Sequence, residues 1–98
     1  MKARIGCSRY DIKKGNKKFD TEILGAVHSD NKQIVIYDGV NAETAKQVFW
    51  HEIVHAMLAE IERDDLSDNE NFVNILSKHI YAFLEDNSIE KLYKAIAD

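Results

Sequence analysis

The sequence predicts an α+β domain in which a small antiparallel sheet of two or three strands packs against two or three helices. Two observations support this fold class, and a third indicates a single domain. The strand-like segments, rich in Ile and Val, lie before residue 40, and the segments with helical spacing follow it, an order typical of α+β proteins. The chain of 98 residues also has no proline, no internal repeat and no low-complexity tract, so residues 1–98 are expected to form a single domain.

Two segments are the strongest strand candidates. Residues 22–28 and 33–37 are rich in β-branched and other apolar residues, and residues 29–32, Ser-Asp-Asn-Lys, are suited to the hairpin loop between them. A weaker strand is predicted over residues 3–12, because its apolar residues alternate only loosely. It is expected to end at the turn-like residues 14–17, Lys-Gly-Asn-Lys.

The first helix is predicted over about residues 42–62. Asn41 is placed to cap its N-terminus, and Glu43 in its first turn is favourably sited against the helix dipole. The segment between Gln47 and Glu60 is apolar almost all round, which predicts that this helix is largely buried.

Two further helices are predicted after a short loop. Residues 67–70 have the Ser-x-x-Glu form of a capping box, which opens a helix over about residues 68–86. Ser88 can cap a last helix over about residues 89–97. The core face expected for the longer of the two helices consists of Phe72, Ile75, Leu76, His79, Ile80 and Phe83.

The most informative pattern in the chain is H-E-x-x-H at residues 51–55. Helical residues four apart lie on one face, so the imidazoles of His51 and His55 can bind one metal ion. Glu52 points roughly 100° around the helix, which keeps it out of the ligand set but near a metal-bound water whose proton it can accept. The pattern therefore predicts two zinc ligands and a general base. The alternative is a pair of hydrogen-bonded core histidines.

A catalytic zinc ion usually has three protein ligands and a water, so one more ligand must come from another segment. Glu70 is the main candidate, because it opens the helix that has to pack against the helix of the two histidines. As the last residue of the capping box, Glu70 also has a purely structural alternative. Glu62 is discounted, because it lies roughly 10 Å from His55 along one straight helix. The rival candidates lie in the loop: Asp64, Asp65 and Asp68.

Several motifs of the chain resemble those of small metallopeptidases encoded by phages and prophages, which are distantly similar to the ImmA/IrrE-type and other gluzincins. The resemblance rests mainly on three segments, Trp50 to Ala56, Asn69 to Val73 and Tyr81 to Asn87. Weaker counterparts of the family's strands are Tyr10 to Ile12 and the segment from Leu24 to Ile36.

The resemblance covers about residues 8–87 and implies a minimal zincin-like fold with one Zn²⁺ ion. It implies that the ion is held by His51, His55 and a downstream Glu, with Glu52 as the base. The position that matches the downstream Glu is Glu70, although the interval after His55 is shorter than in many gluzincins. The implied substrate is a peptide or protein, and the implied location is the cytoplasm of a bacterial host.

Other residues carry weaker functional indications. A peptidase needs a group that stabilises the oxyanion, and Tyr37, His79 and Tyr81 are candidates, each with an alternative role in core packing or beside a ligand. The strand at residues 33–37 is expected to be the sheet edge that binds an extended peptide. Cys7 is the only cysteine, which excludes an internal disulfide, and it is expected to be a small buried hydrophobe.

The charges are unevenly distributed, with a net charge of +6 over residues 1–18 and −10 over residues 19–98. Residues 13–18 are interpreted as a solvated turn, because no aromatic residues alternate with the basic ones and the whole chain is acidic, so nucleic acid is not an expected partner. No run of 18 apolar residues is present to cross a membrane, and the first ten residues lack the apolar core of a secretory signal. A cytoplasmic location is expected.

Three functions follow from these observations. The first is a zinc metallopeptidase in which Glu52 activates the attacking water. The second is a non-catalytic, zinc-stapled module that binds or regulates a protein partner, since a chain of 98 residues leaves little surface for a substrate cleft. The third is a metal-free interaction or DNA-associated protein that uses its basic first 18 residues. The sequence does not indicate an oligomeric state.

Overall fold

The computed structural model describes residues 1–16 and 22–97. In this part of the chain four strands precede four helices, as expected of an α+β fold. The strands are β1 (Lys2–Ile5), β2 (Ser8–Gly15), β3 (Gly25–His28) and β4 (Gln33–Tyr37).

The four strands form one mixed sheet in the order β1-β2-β4-β3. The β1/β2 and β3/β4 pairs are antiparallel, whereas β2 and β4 are parallel. The sheet therefore differs from the predicted two or three antiparallel strands. The parallel pair joins strands that are not neighbours in sequence, and local residue patterns carry no signal for such a pairing.

The predicted single strand over residues 3–12 is wrong, because a tight turn at Gly6 and Cys7 divides it into β1 and β2. Gly6 has a φ of +61°, a backbone conformation that side chains disfavour. Cys7 is exposed in this turn, so its prediction as a buried hydrophobe is also wrong.

The predicted turn at residues 14–17 is wrong for the residues that the structure describes, because β2 continues to Gly15. Gly15 lies close to side chains of β4, and only a residue without a side chain fits there. A Cβ at Gly15 would lie 2.7 Å from Val35 Cγ1 and 3.0 Å from Tyr37 Cδ1. Lys17 lies outside the described residues.

The second hairpin is close to the prediction. β4 has the predicted bounds, and residues 29–32 form the turn before it. β3 begins at Gly25 rather than at residue 22, although the carbonyl of Leu24 still accepts a hydrogen bond from the Tyr37 amide at 2.9 Å. The first core cluster lies between the sheet and the first helix, and its buried members are Ile5, Tyr10, Ile34, Ile53 and Ala56.

The first helix, α1 (Ala42–Glu60), begins where the sequence predicts. Asn41 caps it, since its side chain accepts a hydrogen bond from the Thr44 amide at 2.8 Å. The buried residues lie only in the second half of the helix, so its buried part is smaller than the apolar sequence suggests. Its buried residues are Glu52, Ile53, Val54, Ala56 and Leu58.

Three further helices follow: α2 (Asp64–Ser67), α3 (Glu70–Asp86) and α4 (Ile89–Ile96). Asn69, rather than Ser67, caps α3, because the Asn69 side chain accepts a hydrogen bond from the Phe72 amide at 3.1 Å. The predicted capping box is therefore wrong, and Ser67 is the last residue of α2. None of the helices described is long and apolar enough to cross a membrane.

The helix α3 packs antiparallel on α1. Glu70, its first residue, lies beside His55, whereas the Tyr81 hydroxyl lies 3.4 Å from Glu43 at the start of α1. Val73 and Ser77 are the buried residues of α3. The predicted core face is thus wrong for Ile75, Leu76, His79 and Phe83, which are exposed.

The predicted face of α3 followed the largest apolar side chains, but the residues of α3 that pack in the second core cluster lie on a neighbouring face that includes the fully buried Val73. The buried members of that cluster are Val54, Leu58 and Val73.

Ser88 caps α4 as predicted, accepting a hydrogen bond from the Lys91 amide at 3.3 Å. Every described residue of α4 except Ile89 is exposed.

Candidate metal centre

The packing of α3 on α1 brings together the three predicted metal ligands, His51, His55 and Glu70. The two Nε2 atoms of the histidines lie 3.2 Å apart. Glu70 Oε2 lies 3.2 Å from Nε2 of His51, and Glu70 Oε1 lies 3.1 Å from Nε2 of His55. Glu70 reaches the histidines because it is the first residue of α3, immediately after the capping residue Asn69.

The separations of these donor atoms fit a tetrahedral metal site. Ligand atoms at zinc bond lengths of about 2.0–2.1 Å and tetrahedral angles lie about 3.3–3.4 Å from one another. The two histidine nitrogens, 3.2 Å apart, are close to that value, and each lies 3.1–3.2 Å from a different oxygen of Glu70. With one donor atom taken from each residue, the three atoms lie within 4.8 Å of one another. The donor set of two imidazoles and one carboxylate is also one that zinc commonly binds. The residues present therefore fit a zinc ion and leave a fourth position for water or substrate.

Ser67 holds the ring of His55. Its Oγ lies 2.8 Å from Nδ1 of His55. In the tautomer that leaves Nε2 free to bind a metal, Nδ1–H donates this hydrogen bond to the serine hydroxyl. The residue that the sequence suggested as a helix cap thus orients a candidate ligand.

The rival carboxylates of the loop are absent from this group of donor atoms in the described part of the chain. Asp65 is engaged elsewhere, because its two oxygens accept hydrogen bonds from Nε and Nη2 of Arg63, both at 2.9 Å. Asp68 lies close enough to favour the charged form of His55 electrostatically, but it supplies no donor atom to the group. The other two carboxylates considered as the third ligand, Asp64 and Glu62, also contribute no donor atom to the group.

Glu52 is buried beside the candidate ligands, with 7% of its surface exposed. Burial raises the pKa of its carboxyl to about 7, and the negative charge of Glu70 acts in the same direction. Burial also lowers the pKa of the His55 imidazole, against the opposing effect of Glu70. A carboxyl pKa near neutral pH suits a general base, and a lowered imidazole pKa favours the neutral form that binds a metal.

Gly25 permits β3 to pass directly over Glu52. A Cβ at this position would lie 2.7 Å from Val48 Cγ1 and 3.2 Å from Glu52 Cγ. The edge strand can therefore approach α1 at the candidate base only because residue 25 has no side chain.

A cleft of about 640 Å³ extends from the candidate metal centre. Its floor is α1, one wall is the segment from Ile23 to Val27 that includes β3, and the other wall is α3. From α3 the cleft is lined by Glu70, Asn74, Ser77 and Lys78.

The structure does not bring the predicted oxyanion-stabilising residues to this cleft. Tyr37, His79 and Tyr81 are not among the described residues that line it. The predicted peptide-binding strand, β4, lies inside the sheet between β2 and β3, and β3 is the edge strand beside the cleft. That correction follows from the parallel pairing of β2 with β4, which covers the edge that sequence reasoning left free.

Sequence reasoning missed Ser67 as a partner of His55, and it missed Asn74 and Lys78 in the cleft wall. A signal for the last two was present, because both follow Glu70 at intervals of four residues and share its side of α3.

The described part of the basic segment, residues 1–16, lies apart from the cleft. Lys13 and Lys14 belong to β2 and each forms an ion pair at 3.5 Å, with Asp11 and Asp38 respectively. Lys17 lies outside the described residues, as does the rest of the segment up to residue 21.

No family model, no curated protein and no solved structure matches this chain.

Proposed function

We propose that this protein is a zinc-dependent metallopeptidase that hydrolyses peptide bonds in the cleft between β3 and α3. The observation that carries the proposal is the cluster of donor atoms from His51, His55 and Glu70, which lie within 4.8 Å of one another, with the buried Glu52 beside it. The likeness of its motifs to those of small phage-encoded metallopeptidases supports the same function, with a bacterial cytoplasm as the expected location.

The chemistry divides between the ion and the side chains. A bound Zn²⁺ ion polarises a substrate carbonyl and lowers the pKa of a water molecule to about 7. Glu52 accepts a proton from the attacking water and delivers it to the amine of the departing product. Burial of Glu52 favours this exchange, because it makes the carboxyl a stronger base than an exposed one.

The substrate is expected to bind as an extended strand along β3. This strand lies at the edge of the sheet, and no described segment pairs with its outer side. Peptides commonly add to such an edge through main-chain hydrogen bonds. A peptide paired with β3 passes over Glu52, because the lack of a side chain at Gly25 lets β3 lie close to Glu52.

The test is the substitution Glu52→Gln in the zinc-loaded protein. We expect zinc to bind with unchanged stoichiometry and hydrolysis to fall about 10²- to 10⁴-fold, the usual contribution of a general base. Hydrolysis is measured by mass spectrometry on a proteome-derived peptide library, and zinc by elemental analysis. Glu62→Gln, a change of the same chemistry beyond the end of α1, is the matched control and should leave hydrolysis unchanged. Undiminished cleavage by the Glu52→Gln protein would contradict the mechanism.

A second function is favoured by the exposed apolar residues of α3 and α4. Leu76 and Phe83 on α3, and Leu92, Tyr93 and Ile96 on α4, are 37–83% exposed. Surfaces of this kind often bind proteins. In this alternative the zinc site only staples a protein-binding or regulatory module. X-ray absorption spectroscopy of the zinc-loaded protein separates the two, since four protein ligands and no water would favour the alternative and three ligands plus water the peptidase.

A further inference from the structure

The cleft has opposite charges at its two ends. Glu52 and Glu70 lie at the candidate metal centre, whereas Lys78 lies two helical turns further along α3 in the same wall. Eight residues of α-helix span about 12 Å, so the ammonium group is well separated from the carboxylates. Among the described residues that line the cleft, Lys78 is the one with a cationic side chain, and it has no ion pair or hydrogen bond within the described chain.

The direction of β3 shows which part of a substrate faces Lys78. The start of the strand lies over Val48 and Glu52, because a Cβ at Gly25 would touch both side chains. Beyond its end, the hairpin reaches the C-terminus of α1, where Lys32 Nζ lies 3.0 Å from Glu60 Oε2. The strand β3 therefore runs along α1 in the same direction.

The helix α3 runs the opposite way, from Glu70 beside His55 to Tyr81 beside Glu43. Lys78 thus faces the first half of α1, at the end of the cleft where the chain enters β3. A peptide that pairs antiparallel with β3, the slightly more stable arrangement, has its carboxyl-terminal half at this end.

We propose that Lys78 is a specificity residue that binds a carboxylate on the carboxyl-terminal side of the scissile bond. Extended peptides advance about 3.3 Å per residue, so a distance of about 12 Å from the metal ligands corresponds to three or four residues, and the lysine side chain shortens it. The expected position of the carboxylate is two to four residues beyond the scissile bond. The substrate class is therefore peptides with an acidic side chain there, or with a free carboxyl terminus there. This inference rests on the proposed function.

The size of this preference follows from the exposure of Lys78, whose side chain faces solvent. An exposed ion pair of this kind changes affinity by about 2- to 5-fold.

The experiment measures peptide binding without turnover. Zinc-loaded Glu52→Gln protein is immobilised and selects from a proteome-derived peptide library, whose retained members are identified by mass spectrometry. We expect acidic peptides to be enriched about 2- to 5-fold, the enrichment to disappear when Lys78→Ala is added, and basic peptides to be enriched when Lys78→Glu is added instead. Lys91→Ala and Lys91→Glu, at an exposed lysine of α4 that has no ion pair with the residues described by the structure, are the matched controls and should leave the selection unchanged.

A second library with amidated carboxyl termini identifies the source of the carboxylate. Enrichment that survives amidation assigns it to acidic side chains, and enrichment lost on amidation assigns it to the free terminus. Selection by the Lys78→Ala protein that equals the selection by its parent would overturn the proposal. Retention of acidic peptides by the Glu52→Gln protein, without any cleavage by the unmutated protein, would instead leave the role of Lys78 standing and refute the peptidase. Cleavage by the unmutated protein without selective retention of acidic peptides by the Glu52→Gln protein would overturn the role of Lys78 and leave the peptidase standing.

Discussion

Glu52 and Glu60 are the same residue type on the same helix, two turns apart, and they have opposite properties. Their exposure is similar, with 7% of Glu52 and 11% of the Glu60 side chain accessible. Burial raises the pKa of Glu52 to about 7, whereas hydrogen bonds lower the pKa of Glu60 to about 2. The middle of α1 thus holds a carboxyl with a raised pKa, and its C-terminal end holds one that is fixed in its charged form.

Hydrogen-bond donors account for the difference. Glu60 accepts hydrogen bonds from Ser8 Oγ at 2.9 Å, from the Tyr10 hydroxyl at 2.8 Å and from Lys32 Nζ at 3.0 Å. These donors come from β2 and from the loop before β4, so Glu60 ties both hairpins to the end of α1. No described residue offers Glu52 a comparable set, which leaves its lone pairs available for a proton.

The first way to sharpen this contrast is to remove the proposed third ligand. We expect Glu70→Gln to weaken zinc binding by more than about 100-fold. Removal of a residue that only forms a hydrogen bond with a ligand already lowers metal affinity by about 10- to 100-fold, and removal of a ligand itself should lower it further. The measurement is competition with a zinc chelator of known affinity. Asp68→Asn is the matched control, since Asp68 lies near His55 but outside the donor group. A larger loss in the Asp68 variant would assign the third ligand to Asp68 instead.

The next effect in size concerns Ser67. Ser67→Ala removes the oxygen that orients His55 through Nδ1, and zinc affinity should fall about 10- to 100-fold. Ser29→Ala, in the exposed loop after β3, should not change it. The same competition assay decides, and equal zinc affinities of the two variants would show that the His55 ring is held by its packing alone.

Gly6 lies against Glu60 and Gly25 lies against Glu52, so substitution of each glycine tests the role of one glutamate. Gly6 has a φ of +61°, and a Cβ there would lie 2.9 Å from Glu60 Cβ. We expect Gly6→Ala to lower the free energy of unfolding by about 1–2 kcal/mol with little change in hydrolysis per folded molecule. Gly25→Ala should instead displace Glu52 and reduce hydrolysis at smaller cost to stability. Urea unfolding and peptide cleavage measure the two quantities, and a reversed pattern would break the comparison.

The smallest expected effect is the pH dependence that Glu60 confers. Because its folded pKa of about 2 lies below the ordinary value of about 4.3, its charge stabilises the fold above pH 4.3 and this contribution is lost as the pH falls toward 2. Thermal unfolding of the unmutated and Glu60→Gln proteins should therefore differ most at neutral pH and converge near pH 2. A difference that does not change with pH would mean that the charge of Glu60 has no part in stability.

Much of the local structure could be predicted from the sequence. The caps at Asn41 and Ser88 and the strand at residues 33–37 follow from short-range patterns and are confirmed. The spacing of His51 and His55 also placed their rings on one face of a helix, as observed.

The remainder depended on contacts between distant segments. Ser67 and Asn69 are both good capping residues, and only the three-dimensional position of His55 explains why Ser67 serves another purpose. The parallel pairing of β2 with β4 made β3 the edge strand, which moved the expected peptide-binding edge away from residues 33–37. Sequence periodicity could not reveal either arrangement, because both are set by residues far apart in the chain.

The position of Glu70 on a different helix from the two histidines has a thermodynamic consequence. In the proposed enzyme, a zinc ion held by residues of both α1 and α3 binds most tightly when α3 is docked on α1, so zinc binding is linked to folding. A ligand at 100 times its Kd adds about 2.7 kcal/mol to the free energy of unfolding. We therefore expect the docked population of α3, and with it the cleft wall that carries Lys78, to follow the free zinc concentration of the surroundings. In the proposed enzyme, the availability of zinc then controls the fraction of molecules in which the cleft is complete.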